Sequence, residues 1–254
     1  MSHPCYRAAM ALGVTTSARA GSSDLAMEAG PITATWLGRV EYDTAHSLQR
    51  RLAGERADGR IGDQLVLLEH PAVLTLGRHA DPSHILASAA ELRVRGIEVR
   101  RVERGGEVTY HGPGQLVAYP IVRLADRGLL IRPFVRVLET ALVATCAAHG
   151  VPAARRDGHP GCWCDADGDD PRKIGALGLR IERGVSFHGI ALNVTVDLAD
   201  FALIDACGMP GVRSTSIAAE RGWPSPPTVE SVVIAAGAFA RALAAELGAP
   251  LVGM

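Results

Sequence analysis

The chain has 254 residues, 48% of them apolar, a size that suits one large or two small domains with a substantial core. Its formal net charge of −1 offers no basic surface for nucleic acid, and no apolar run approaches the roughly 20 residues of a membrane span. Its five cysteines (Cys5, Cys146, Cys162, Cys164 and Cys207) form an odd set without framework spacing, so free thiols and a reducing, cytoplasmic setting are expected.

Residues 1–30 are rich in Ala, Ser and Gly and lack periodicity. Ala18-Arg19-Ala20 has the small-residue look of a cleavage site. The apolar stretch before it is short and broken by Gly13, so a flexible tail is expected rather than a signal peptide. Asp43 to Asp58 reads as a helix, with Ala45, Leu48 and Leu52 at helical spacing. Gln64–Glu69 and Ala72–Leu76 read as strands, Ser88–Arg95 as a short helix, and Ile97–Val102 and Leu116–Val122 as further strands. Pro133 to His149 is a helix with Pro in its first turn and Gly150 at its end. Ile174–Ile181 and Val185–Val196 form two strands joined at Arg183-Gly184, and Val229–Leu247 is an alanine-rich helix capped by Gly248. Strands and helices are interspersed without regular βαβ alternation. The expected fold class is α/β of the α+β type, a mixed β-sheet with helices packed against it.

Lys173 is the only lysine, against twenty-five arginines. Arginine cannot lose its proton in a protein, whereas a lysine ammonium can shift its pKa and pass a proton. Lys173 is therefore a candidate general acid/base, and a leftover surface lysine is the plain alternative. Its context, Pro171-Arg172-Lys173-Ile174-Gly175-Ala176-Leu177-Gly178, is a poor address for a solvated charge.

The stretch from Arg104 to Gln115 (Arg-Gly-Gly-Glu-Val-Thr-Tyr-His-Gly-Pro-Gly-Gln) is the densest special-purpose segment. Its glycine spacing fits neither phosphate-loop pattern, and a strand, not a helix, follows it. It reads as a loop around a small or slender ligand, with Arg104 and His111 at its edges. Each of those two has a structural alternative: a surface charge for Arg104, an internal hydrogen bond for His111.

Cys146 lies on the apolar face of a helix and reads as core. Cys162 and Cys164 flank Trp163, close to His159 and several aspartates, but the spacing matches no zinc pattern. They read as small apolar residues alternating on a strand edge, and no metal ligand is assigned. Cys207 differs, because Gly208, Pro210 and Gly211 place it in a loop that substrate can reach. An ordinary thiol needs a nearby cation or base to be mostly thiolate at neutral pH. Lys173 is the natural partner if the fold brings the two together.

Four separated motifs resemble the lipoyl(octanoyl) transferases in order and spacing. They are Arg104 to Gln115, Lys173-Ile-Gly-Ala-Leu-Gly178, Phe187-His-Gly-Ile-Ala-Leu-Asn193 and Ala206-Cys-Gly208. The helix after Tyr42 and the segments Leu67–Pro71 and Leu76–Arg78 match as well, so the resemblance runs from Tyr42 to Glu220. It implies the biotin/lipoate protein ligase-like fold, with residues 31–254 as a single catalytic domain. It also implies transfer of an octanoyl group from octanoyl-acyl carrier protein to a lysine of lipoyl domains, as found in 2-oxoacid dehydrogenase complexes and the glycine cleavage H protein. Cys207 and Lys173 correspond to the family's catalytic dyad. Arg104, Gly105, Gly106, Glu107, Val108, Thr109, Tyr110 and His111 correspond to acyl-pocket residues, as do Ala176, Leu177, Gly178, Gly189, Ile190 and Ala191. No cofactor, metal, nucleic acid or membrane is implied, and a monomer is expected. Arg78, Arg104 and Arg213 are candidates to steer acidic carrier and acceptor domains toward the pocket mouth.

The chain departs from the family pattern at Ala206, where a proline commonly precedes the cysteine, at Cys162 and Cys164, and in its first thirty or so residues. The strongest rival reading is an ATP-dependent lipoate or biotin ligase on the same fold, and a second is a non-catalytic acyl-binding module. The His111-Gly-Pro-Gly-Gln115 version of the glycine segment and the presence of Cys207 favour the transferase over the ligase.

Overall fold

The computed structural model describes residues 30–205, 211–223 and 229–254. In chain order come β1 (Ile32–Arg39), α1 (Tyr42–Ala57), β2 (Asp63–Glu69) and β3 (Val73–Leu76). Then follow α2 (Ala89–Val94), β4 (Glu98–Arg101), β5 (Val108–His111), β6 (Gln115–Ile121) and α3 (Ile131–Ala148). The second half holds β7 (Ala154–Arg156), β8 (His159–Cys164), β9 (Arg172–Glu182) and β10 (Val185–Asn193). Last are β11 (Arg213–Ser214), α4 (Ile217–Arg221), α5 (Val229–Glu246) and β12 (Leu251–Val252).

Among the described residues the strands form two sheets. The larger has nine strands in the order β12-β1-β2-β6-β10-β9-β8-β7, with β11 added to β9. Its β12-β1-β2 end and the β11–β9 pair are parallel, and the other pairs are antiparallel. The smaller sheet is β4-β3-β5. This is the mixed sheet with packed helices that the pattern of elements predicts.

β10 is buried at all nine positions. Both of its faces are covered, so its polar residues Ser186, His188 and Asn193 are buried along with its apolar ones. On one face α3 and α5 bring Phe134, Leu138, Leu142, Phe239 and Leu243 onto Leu65, Leu67, Leu116 and Leu192. Burying each such side chain contributes roughly 1.5–3 kcal/mol. On the other face α1 packs through Ala45 against Val66, Leu68, Val117, Tyr119 and Ala191. The small sheet has its own core, in which Leu74, Leu76, Val108 and Tyr110 meet Leu203 and Ile204.

Three expectations need correction. The glycine segment is not all loop, because Val108–His111 is β5, paired residue for residue with β3. β8 is not a sheet edge: it lies between β7 and β9, and both Cys162 and Cys164 are buried. Cys162 Sγ sits 3.9 Å from Cys146 Sγ across the α3 interface, so Cys162 and Cys146 act as core residues. The β10 strand ends at Asn193 rather than Val196, since Gly114 O draws the N–H groups of Val194 and Thr195 away from the ladder. No helix among the described residues is long and apolar enough to cross a membrane.

Candidate active site

Lys173 stands near the start of β9, only 7% exposed, so its ammonium is placed by neighbours rather than by water. Nζ donates to the Pro160 carbonyl at 3.0 Å and lies 5.1 Å from the centre of the Trp163 ring. The aromatic face favours a cation there. Gly161 makes the room: its φ is +136°, and a Cβ would meet Gly175 O at 2.6 Å and Lys173 Cε at 2.8 Å. A side chain at 161 would therefore displace the lysine stem.

Cys207 lies outside the described residues. On the N-terminal side of this segment, Asp205 N–H donates to His84 O at 2.8 Å. On its C-terminal side, Gly211 leads into β11, where Ser214 is the register partner of Lys173. Thr215 N then donates to Lys173 O at 2.9 Å.

Lys173 borders a cavity of about 450 Å³. Residues 104–109 and 111, 176–178 and 189–191 all line it. Tyr110 is the exception among the predicted pocket residues. β5 alternates, so Thr109 and His111 face the cavity while Tyr110 turns into the small core. There its hydroxyl donates to Asp200 at 2.6 Å and its ring meets Phe201 edge-on.

The glycine segment comes within backbone distance of β9, where Gly105 N donates to Leu179 O at 2.9 Å. Gly178 permits this, because a Cβ there would meet Gly105 O at 2.7 Å. Arg104 is not the surface charge one reading allowed, nor is it exposed at a docking surface. It is 7% exposed, and its guanidinium donates to Thr75 O and Oγ1 and to Gly105 O, tying the loop to β3. Of the other two arginines proposed for steering, both are exposed, and Arg213 is ion-paired with Asp170.

His111 realises its structural alternative and also lines the cavity. Its Nδ1 donates to Gln115 Oε1 at 2.7 Å, and Gln115 Nε2 donates to Asn193 Oδ1 at 2.9 Å. Asn193 Nδ2 donates to Thr215 O at 2.9 Å. Since Thr215 N donates to Lys173 O, one chain of hydrogen bonds runs from the glycine segment to the lysine backbone.

Burial keeps three imidazoles here uncharged. It holds His111 down to about 3, His188 to about 3 and His70 to about 4, and it pushes the Tyr42 hydroxyl up to about 12. Glu103 is opposed by burial but is held down at about 2 by its backbone, Arg50 and His46. Cys162 and Cys164 are held as thiols. The Cys146 contact and burial push Cys162 up, and burial pushes Cys164 up to about 12.

Sequence reasoning assigned no cavity role to Tyr42, Tyr119, His159, Pro160 or His188, all of which line the cavity. For His188 a signal existed: it lies inside the Phe187 to Asn193 motif, between residues assigned to the fold and to the pocket.

Comparison with known proteins adds the remaining evidence. Residues 41–237 match the lipoyl protein ligase A/B catalytic domain. The chain belongs to that family. It is 48% identical over 192 residues to an octanoyltransferase of Acidobacterium capsulatum, covering 72% of this chain and 78% of that protein. It is 46% identical over 200 residues to an octanoyltransferase of Chloroflexus aggregans, covering 78% and 89%. These relatives place it among the acyl-transferring enzymes of the family. Among solved structures, lipoate-protein ligase A bound with ATP superposes with a TM-score of 0.61 at 16% identity, covering 87% of each chain. A bipartite lipoate protein ligase from Thermoplasma acidophilum gives 0.61 at 15% identity, covering 88% of this chain and 87% of that one. At that identity the likeness shows the fold alone, which is the lipoate-ligase fold.

Proposed function

We propose that this enzyme moves an octanoyl group from octanoyl-acyl carrier protein to a lysine of a lipoyl domain, through a thioester on Cys207. The observation that carries the reading is the sole lysine of the chain, buried at the wall of a cavity that the glycine segment and β9–β10 enclose. In the first step Cys207 gives its proton to Lys173 and its sulfur attacks the thioester carbonyl. The carrier thiolate leaves and takes that proton. In the second step the acceptor amine attacks the Cys207 thioester, Lys173 takes the amine's proton, and Cys207 leaves as thiolate and is reprotonated. An amide replaces a thioester, so the exchange runs downhill without ATP. Positioned acid/base help of this kind supplies roughly 10²–10⁴ in rate.

The acyl chain would lie along Ala176, Leu177, Ile190 and Ala191, where burial contributes about 0.8 kcal/mol per methylene. Residues 31–254 would act as one catalytic domain and as a monomer. Acceptors would be lipoyl domains of 2-oxoacid dehydrogenase complexes and the glycine cleavage H protein. Intact-mass measurement after incubation with octanoyl-acyl carrier protein, without ATP, tests this. The expected result is a covalent octanoyl adduct on the wild type that is lost in Cys207→Ser. Turnover that requires ATP and survives Cys207→Ser would instead mark an ATP-dependent ligase.

A further inference from the structure

Beside the cavity, three side chains from distant segments converge: His46 on α1, Glu103 ahead of the glycine segment and His188 on β10. His46 Nε2 lies 3.1 Å from Glu103 Oε1, and His188 Nε2 lies 3.8 Å from Glu103 Oε2. One donor atom from each residue lies within 4.8 Å of the other two. The two imidazoles are stacked, 5.5 Å apart between centroids.

The second observation is a buried ring nitrogen left without a partner. His188 is 2% exposed, and its Nε2 has no hydrogen-bond partner among the described residues. Leaving such a buried atom unsatisfied costs roughly 1–3 kcal/mol. The residue also sits at φ +56°, a left-handed backbone uncommon outside glycine. Gln49 Oε1 holds its backbone N–H at 2.7 Å, so the ring is fixed in a strained position with an open nitrogen 3.8 Å from a carboxylate oxygen.

We propose that His46, Glu103 and His188 bind one borderline divalent transition-metal ion, zinc foremost. Two imidazoles and a carboxylate are a donor set that zinc takes and that magnesium and calcium do not favour. Arg50 now donates to Glu103 Oε1 at 2.7 Å. It is half exposed and has Glu182 3.8 Å away as a second carboxylate, so it can turn aside. His46 is a quarter exposed on its helix and supplies the adjustable arm that closes onto the ion. The positive charges of Arg50 and Arg104 disfavour a hard cation held by charge alone and leave the metals that bond well to imidazole. His188 also lines the cavity, so an ion held here lies at its wall. This site is independent of the octanoyl reading.

The test is zinc titration of the full-length chain against a chromophoric chelator, comparing wild type with His46→Ala, Glu103→Gln and His188→Asn. The thiols are common to all four proteins, so the difference reads the triad. The expected result is one equivalent bound in the wild type that is lost, or weakened at least about tenfold, in each variant. Cobalt in that equivalent should show ligand-field bands without a thiolate charge-transfer band. Equal stoichiometry and affinity in wild type and His46→Ala overturns the proposal, and so does a thiolate band on the equivalent that the variants lose. His46→Ala alters a partly exposed helix position, and matched circular dichroism and melting temperature establish that its effect is not unfolding. If His188→Asn fails to fold, His46→Ala and Glu103→Gln decide alone.

Discussion

On one face of the large sheet, Phe134 and Leu138 of α3 meet Phe239 and Leu243 of α5 over a hydrocarbon layer. On the opposite face, beneath α1 and the glycine segment, His70, His111, Gln115, Tyr119 and Asn193 are buried as polar groups. The first face is held by area removed from water, which tolerates small shifts. The second depends on donors and acceptors that must meet at about 2.7–2.9 Å, and each lost partner strands another. The face that carries the cavity is the one held by directional bonds, which fix geometry more closely than packing does.

Substitutions can separate the two faces. The largest effect is expected from Lys173→Arg, which keeps the charge but cannot give up its proton to act as acid and base. Its kcat/KM should fall roughly 10²–10⁴-fold with the melting temperature nearly unchanged. Activity within twofold of wild type would remove the lysine from the chemistry. Phe134→Ala, on the hydrocarbon face, should cost about 3–5 kcal/mol in urea unfolding while kcat in the folded fraction stays intact.

Acid should act on the polar face. His70 donates from Nδ1 to Val40 O at 2.7 Å and accepts from the Tyr119 hydroxyl at 2.7 Å, an arrangement that needs a neutral ring. Burial holds its folded pKa at about 4 against 6.5 unfolded. The unfolded chain therefore binds the proton first. The stabilisation is complete above pH 6.5 and is lost as the pH falls toward 4, by at most roughly 3 kcal/mol. His70→Gln should flatten the stability profile over that window, and an unchanged profile would assign the acid sensitivity elsewhere.

Asn193→Ala should cost about 1–3 kcal/mol, because Gln115 Nε2 and Thr215 O each lose a partner. Crystallographic or NMR analysis should show the β11 strand shifting against Lys173. The smallest effect is expected from the exposed Arg78. Arg78→Glu should raise KM for an acidic carrier domain only severalfold, with a weaker dependence on salt. Salt-insensitive kinetics in the wild type would discard steering altogether.

The hydrocarbon face was the more legible of the two from sequence. α3 shows itself through apolar residues at helical spacing and a terminal glycine, and β10 through its β-branched and aromatic start after the Arg183-Gly184 turn. The polar face was legible through motifs but not through local propensity. Val108–His111 becomes a strand because β3 lies alongside, a pairing made with residues more than thirty positions earlier. Tyr110 shares its segment with pocket residues, and only the period of that strand turns it away. Arg104 has the composition of a surface residue and is buried because Thr75 meets it with two oxygens. β12 is two residues long and carries no signal of its own before it pairs with β1. Ile32–Arg39, by contrast, carries strand-forming residues of its own in Ile32, Thr33, Thr35 and Trp36.

The distribution of amines has one further consequence. If the acceptor is a lysine, as proposed, the acyl reagent would also modify lysines on the enzyme's own exterior. Here twenty-five cationic side chains are guanidinium groups, which stay protonated and do not attack acyl carbon at neutral pH. The single lysine is sequestered. The molecule thus presents no exposed lysine side chain to its own cargo.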